Sequence, residues 1–333
     1  MYIFYFDCGT SKTRGYLIKD GKIIEIHKKD IGSKDVSIQN DKSVLINGMK
    51  IIYDTLLINH NLEDKDICKI YASGMITSPF GLKEVPHAVT PIDKWKMKES
   101  IHVHYEDNKF NRDINLILGL KTTKSTGTFE NIENINNVRG EEIEVMGILN
   151  HIPELWKSSK YIVIIPGSHT HTLMLEGETI LDIYSTFSGE LFHAVTTSTI
   201  LSSSTELDNN SDIALDFNSN AVAMGCRNLK KYGLARALYI VHAMKIFDVG
   251  DNKFRRECLN AVINGSVVES LKLNMNTEWK DIKRIAVYGD ENMLLTYKEA
   301  IKEFLPELSI EVLALNRDNY NCAFEGLITI INS

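Results

Sequence analysis

With 333 residues, of which 44% are hydrophobic and 24% charged, the chain can bury a sizeable core, and its length favours about two domains over one. A formal net charge of −7 argues against a surface dedicated to nucleic acid or to an anionic membrane, although an acidic protein can still carry a locally positive site. Cys8, Cys68, Cys226, Cys258 and Cys322 are scattered and form no C-x-x-C pair, which reads as reduced thiols in a cytoplasmic protein.

The first 30 residues read as a β-meander, with strands Tyr2–Phe6, Arg14–Lys19 and Lys22–His27 and a hairpin turn at Asp20-Gly21. The start MYIFYFDCG is apolar for only six residues and has no basic leader, so it is not expected to be a signal peptide. No apolar run approaches the roughly 18 residues of a membrane span. Val44, Leu45, Met49, Ile52, Leu56 and Leu57 recur at helical spacing and predict a helix from about Asp41 to His60. A short strand, Cys68–Ala72, ends in Ser73-Gly74, and Ile114–Leu120 is a further apolar run between polar loops. His102 and His104 share one face of a strand and read as a solvated surface.

The Asn/Thr/Gly-rich stretch Thr122–Asn137 reads as a connection between domains and divides the chain into 1–137 and 138–333. Glu141–His151 is then patterned as a helix. The meander returns as Tyr161–Ile165, Thr170–Leu175 and Thr179–Tyr184, with turns at Pro166-Gly167 and Glu176-Gly177. A helical region runs from Ser188 to Leu273, broken near Ser202–Asn210 and near Gly250. Strand Arg284–Tyr288, helix Met293–Phe304, strand Ser309–Ala314 and helix Asn319–Ile331 close the chain.

The turn between the first two strands carries Asp7-Cys8-Gly9-Thr10-Ser11-Lys12-Thr13-Arg14. Phosphoryl transfer needs a metal-holding carboxylate and donors around the phosphates, because positioning and electrostatics supply most of the rate. Asp7 can hold Mg²⁺, Gly9 admits an anion close to the backbone, Thr10 and Ser11 offer hydroxyl and N–H donors, and Arg14 adds positive charge. The same residues also suit an ordinary hairpin turn. Gly167, Ser168 and His169 hold the equivalent place in the second meander and could cradle phosphate with backbone N–H groups. Gly289 sits at a strand-to-helix junction, where a simple turn is the better reading of the residues alone.

The first of these segments resembles the phosphate loop of the glycerol-kinase and hexokinase relatives, and four further segments resemble 2-dehydro-3-deoxygalactonokinases in order along nearly the whole chain. These are Ser73-Gly74-Met75-Ile76-Thr77-Ser78, Val138-Arg139-Gly140-Glu141-Glu142, Ile165-Pro166-Gly167-Ser168-His169-Thr170, and Ser188-Gly189-Glu190-Leu191 with His193. The resemblance implies an α/β fold of two ribonuclease-H-like, actin-like ATPase domains with a nucleotide cleft between them. It implies ATP and Mg²⁺ as cofactors and transfer of the γ-phosphoryl to the C6 hydroxyl of 2-dehydro-3-deoxy-galactonate in sugar-acid catabolism.

Carried over residue by residue, the resemblance makes Glu141 the candidate general base, with Glu142 the close alternative or a metal partner and Asp7 the metal ligand. Gly9, Thr10, Ser11, Arg14, Gly167, Ser168, His169 and Gly289 would contact the nucleotide. Thr77, Ser78, Arg139 and Glu190 would contact the sugar acid, along with the stretch Val85-Pro86-His87 to Thr90-Pro91. Ala323-Phe324-Glu325-Gly326 resembles the closing segment of the family and is assigned to packing. Two positions depart from the family: His171 stands where it has lysine, and Asp290 replaces a small residue beside Gly289. They motivate two further readings, a catalytically weak sugar- or nucleotide-binding regulator on the same fold and a kinase for another small sugar. The expected partners are ATP and a small sugar acid, without nucleic acid or membrane, and a homodimer is left open.

Overall fold

The computed structural model describes residues 1–123, 127–207 and 217–333. In chain order the elements are β1 (Tyr2–Cys8), β2 (Thr13–Lys19), β3 (Lys22–Lys29), α1 (Ser33–Gln39), α2 (Ser43–Asn59), β4 (Ile67–Gly74), β5 (Ala88–Val89), α3 (Lys94–Glu99), β6 (His102–Glu106), β7 (Arg112–Leu116), β8 (Leu120–Lys121), β9 (Asn137–Val138) and α4 (Glu141–Ile148). There follow α5 (Glu154–Lys157), β10 (Lys160–Ile165), β11 (Thr170–Glu176), β12 (Thr179–Thr186), α6 (Gly189–Ser198), α7 (Ser202–Thr205), α8 (Ser219–Tyr232), α9 (Leu234–Ile246), α10 (Asn252–Thr277), β13 (Arg284–Gly289), α11 (Glu291–Phe304), β14 (Glu311–Asn316) and α12 (Cys322–Ile331).

These divide into two units, one of Met1–His151, Glu178–Ile183 and Asn321–Ser333, the other of Ile152–Gly177 and Tyr184–Tyr320. The first sheet has the strand order β3-β2-β1-β4-β7-β6 and the second β12-β11-β10-β13-β14. In both, a strand and its antiparallel neighbour begin a meander, while two later strands add parallel on the other side of the first one, β4 and then β7 beyond β1, and β13 and then β14 beyond β10; the first sheet then adds β6 antiparallel at its edge. This repeated order is that of the ribonuclease-H-like halves of actin-like ATPases, so the expected α/β class holds.

Hydrophobicity explains the central strands. Ile3, Phe4, Tyr5 and Phe6 of β1 are all buried, as expected of a strand covered on both faces, whereas β3 alternates exposed and half-buried positions at the sheet edge. Around β1 lie Leu45, Met49, Ile52 and Leu56 from one face of α2, together with Ile70, Ile114 and Leu116 from the parallel strands.

Several boundaries differ from the sequence-based expectation. The stretch 122–136 is not a linker between domains, because Leu120 and Lys121 pair with Val138 and Asn137, making it the loop of a hairpin inside the first unit. Its residues 124–126 lie outside the described residues. A division at 137/138 therefore falls within that unit; a polar hairpin loop and a polar linker have the same composition. The run Ile114–Leu120 is also interrupted, since Ile117 donates its N–H to Ala72 and the chain turns before β8. In the helical region a break that composition did not signal occurs at Gly233, at φ 75°, and the portion of the expected break at 208–210 lies outside the described residues. Helix α11 begins earlier than expected and α12 later, because the side chains of Asp290 and Asn321 accept from the N–H groups of Met293 and Phe324 and fix the two starts.

Helix α12 packs on α4 at backbone contact. A Cβ on Gly326 would lie 1.9 Å from the carbonyl oxygen of Ile143, and one on Gly147 would lie 2.1 Å from that of Cys322. The Ala323–Gly326 segment is thus a packing device, as expected. We expect Gly326→Ala to force the helices apart and to lower the stability of the fold by about 3 kcal/mol or more. Urea denaturation would measure it, and an unchanged midpoint would contradict the close approach.

Candidate active site

The first phosphate turn is held from behind. Its carbonyls accept hydrogen bonds from the start of α1, Ser33 N–H to Gly9 O at 3.3 Å and Lys34 N–H to Thr10 O at 2.9 Å. Gly32 makes this approach possible, because a Cβ there would lie 2.4 Å from Thr10 O and 2.5 Å from Gly9 O. Gly9 N–H donates to Lys12 O at 2.8 Å within the turn, and Thr10 and Ser11 are exposed. Asp7, at the end of β1, is paired with Arg14 on β2 at 2.8 Å, so Arg14 neutralises Asp7 rather than standing as an independent phosphate ligand.

Three backbone ends meet in this unit. Asp7 and Cys8 of β1 lie in register with Ser73 and Gly74 of β4, and a Cβ on Gly140 would sit 3.6 Å from the Cα of Gly74. Gly140 adopts φ +117°, which only glycine takes without strain, and it turns the chain into α4 directly beside β4. Arg14 lies within electrostatic reach of Glu144 in the first turn of that helix.

The two carboxyl groups that open α4 differ sharply. Glu142 is fully buried, and one of its oxygens accepts the Gly140 N–H at 2.6 Å while the other has no partner among the described residues. Burial, reinforced by Glu141, raises its pKa well above the usual carboxyl range. Glu141 is only partly buried.

In the second unit the turn between β10 and β11 exposes Gly167, Ser168 and His169, and it is built on the same plan as the first. Glu190 N–H donates to Ser168 O at 2.8 Å, and a Cβ on Gly189 would lie 2.2 Å from Gly167 O, so the start of α6 occupies the turn's carbonyl side. The Glu190 side chain is exposed, as is His193. Ser188 does not cap α6 with its side chain; its hydroxyl meets that of Thr170 at 2.7 Å. His171 points into the sheet, 2.9 Å from the Ser185 hydroxyl, and burial followed by the neighbouring His169 lowers its pKa to about 4. A buried neutral imidazole does not substitute for a phosphate-binding lysine. Gly289 lies beside Pro166 at the base of this turn, and Asp290 is the N-cap of α11, which gives that departure from the family a structural reason.

The expected sugar-acid wall divides as well. Thr77 and Ser78 are buried, and their hydroxyls donate to Gly74 O and Met75 O, so they shape the turn after β4 rather than present free donors. Arg139 donates to Thr77 Oγ1 at 2.6 Å and to Val85 O at 3.2 Å, and it faces His87 Nδ1 at 3.4 Å. Gly32 carried no distinctive signal of its own in sequence, and His87, named only within the stretch Val85-Pro86-His87 to Thr90-Pro91, gains its place through a partner distant along the chain.

The two sheets share one strand order, and each carries a backed, exposed turn after its first strand. The family model for 2-keto-3-deoxy-galactonokinase matches residues 7–330, and the chain belongs to that family. It is a family of phosphotransferases. The fold is also that of a 2-dehydro-3-deoxygalactonokinase candidate from Sinorhizobium meliloti, with a TM-score of 0.77 at 19% identity over 99% of this chain and 98% of that one. Weaker likenesses reach the activator of 2-hydroxyisocaproyl-CoA dehydratase from Clostridium difficile (TM-score 0.47, 12% identity, 100% and 95% covered) and glucokinase from Balamuthia mandrillaris (0.45, 9%, 100% and 94%). No curated protein matches the chain. Among the described residues, no helix is long and apolar enough to cross a membrane.

Because Glu142 holds its proton when folded and loses it when unfolded, wild-type stability falls as pH rises from the ordinary carboxyl value towards the raised native one. The slope is at most about 1.4 kcal/mol per pH unit. Glu142→Gln keeps an acceptor for Gly140 N–H and removes this dependence. We expect it to melt above wild type by a margin that widens from pH 5 to pH 8; a margin that shrinks over that range would show that Glu142 is ionised in the fold.

Proposed function

We propose that the chain transfers the γ-phosphoryl group of ATP to a hydroxyl of a 2-keto-3-deoxy sugar acid, with 2-dehydro-3-deoxy-galactonate and its C6 hydroxyl as the acceptor that family membership favours. The observation that carries the site assignment is the convergence of Asp7, Gly74 and the Gly140–Glu142 segment at the ends of β1 and β4 and the start of α4.

Within this reading, Thr10 and Ser11 offer N–H and hydroxyl groups to the phosphates, and Gly167, Ser168 and His169 offer the same kind of donor from the second unit. Asp7 is the residue that would hold Mg²⁺. One of its oxygens is bound by Arg14, the other is a hard anionic ligand of the kind this ion takes, and the residues present fit it. When bound, the ion supplies charge neutralisation on the phosphate oxygens.

Glu141 takes the proton of the attacking hydroxyl. It is a better candidate than Glu142, which is fully enclosed and whose carboxyl is held towards its protonated form by burial. Glu142 instead binds Gly140 N–H and fixes the turn from which Glu141 projects. Gly289, beside Pro166, is assigned to the adenosine side of the second turn, and Glu190 to the sugar-acid side.

A coupled assay of ATP consumption over a panel of keto-deoxy acids and neutral sugars tests the reading. We expect stimulation by a keto-deoxy acid of galacto configuration. Glu141→Gln should lower kcat by about 10²- to 10⁴-fold with little change in the KM for ATP. Full turnover in Glu141→Gln at saturating substrates would remove it as the base, and stimulation by neutral sugars alone would redirect the assignment to another small-sugar kinase.

A further inference from the structure

The small sheet β5-β8-β9 belongs to the first unit and stands apart from that unit's six-stranded sheet. It pairs Ala88 with Leu120 and Leu120 with Val138, which places His87, just before β5, and Arg139, just after β9, on either side of Gly119. The missing side chain at Gly119 is what lets them meet. A Cβ there would lie 2.6 Å from Arg139 Cγ and 3.1 Å from His87 Cδ2.

The pair is poised for an acceptor that the chain does not supply. A guanidinium only donates, so His87 Nδ1, facing Arg139 at 3.4 Å, is the accepting nitrogen and the ring proton sits on Nε2. That Nε2–H is buried and has no partner among the described residues. Arg139 is fixed by Thr77 and Val85 but retains further N–H groups, and Lys121 of β8 lies within electrostatic reach of His87. The acidic groups in reach of Arg139 do not cancel this corner, since Glu142 is held neutral and Glu84 is exposed to solvent. Burial together with Arg139 and Lys121 lowers the His87 pKa to about 4, the response of a ring among cations with no anion beside it.

We infer that this corner is where the sugar acid's carboxylate binds, with Arg139 and the Nε2–H of His87 donating to its oxygens and Lys121 supplying further positive charge. The inference rests on the sugar-acid kinase reading and deepens it. It makes the corner the reason that an acid, and not the corresponding neutral sugar, is the substrate, because an arginine and an imidazole N–H left unpaired by a neutral ligand penalise it.

Three substitutions and one analogue test the inference. His87→Asn keeps an acceptor near Arg139 but loses the distal N–H, and Lys121→Met loses the charge. We expect each to raise the KM for the keto-deoxy acid about tenfold relative to that for an analogue whose carboxylate is reduced to CH₂OH. His87→Gln, which can present an N–H near the Nε2 position, should restore part of the difference. Equal changes for acid and analogue, or none, would overturn the inference and leave His87 a packing residue. Calorimetric binding of the same acid without nucleotide separates the two layers. Binding that weakens in His87→Asn while wild type phosphorylates no acid keeps the corner and sinks the kinase reading. Turnover of the acid with binding indifferent to both variants does the reverse.

Discussion

Both exposed turns depend on one constraint: the carbonyl groups of a tight turn after a central strand must be satisfied, and the following helix satisfies them. In the first unit the N–H groups of Ser33 and Lys34 do this with Gly32 pressed against the turn, and in the second Glu190 does it with Gly189. Each helix start has N–H groups without partners in its own helix and each turn has carbonyls without partners in the sheet, so each repairs the other's deficit. In the reading proposed above, the N–H groups of Thr10 and Ser11 and those of the turn at Ser168 are the donors offered to an anion. Glycine occupies the contact in both cases because any side chain would collide with backbone.

The carboxyl groups of the first unit divide their labour through burial alone. Glu141 and Glu142 are adjacent and chemically identical, yet one lies at the surface of the turn and the other is enclosed beneath it. Enclosure converts Glu142 from a base into a hydrogen-bonding group for Gly140, whose positive φ sets the direction in which α4 leaves. The same logic separates His171 from the lysine it replaces: its ring is drawn into the sheet and away from the turn at Ser168.

Much of this was readable from residues. The two meanders declared themselves by short apolar runs between turn residues, and Asp7 to Arg14 combined a carboxylate, a glycine and hydroxyls at one turn. The choice between Glu141 and Glu142 was not readable, because helical spacing places two consecutive residues about 100° apart without saying which direction is core. The polar stretch before Asn137 was misleading for a similar reason, since composition marks a loop but not whether its two ends pair with each other. Thr77 and Ser78 looked like donors for a polyol, whereas their hydroxyls close a turn whose carbonyls, at Gly74 and Met75, needed them. His87 and Arg139 are 52 residues apart and meet only because β8 lies between their strands, a relation carried by pairing register and not by any local pattern.

Helix α12 is synthesised after every residue of the second unit, yet its place is against α4 in the first. Until Asn321–Ser333 has been made, Gly147 of α4 lacks the backbone at Cys322 that it packs against, so the first unit cannot be complete before the residues of the second have been translated.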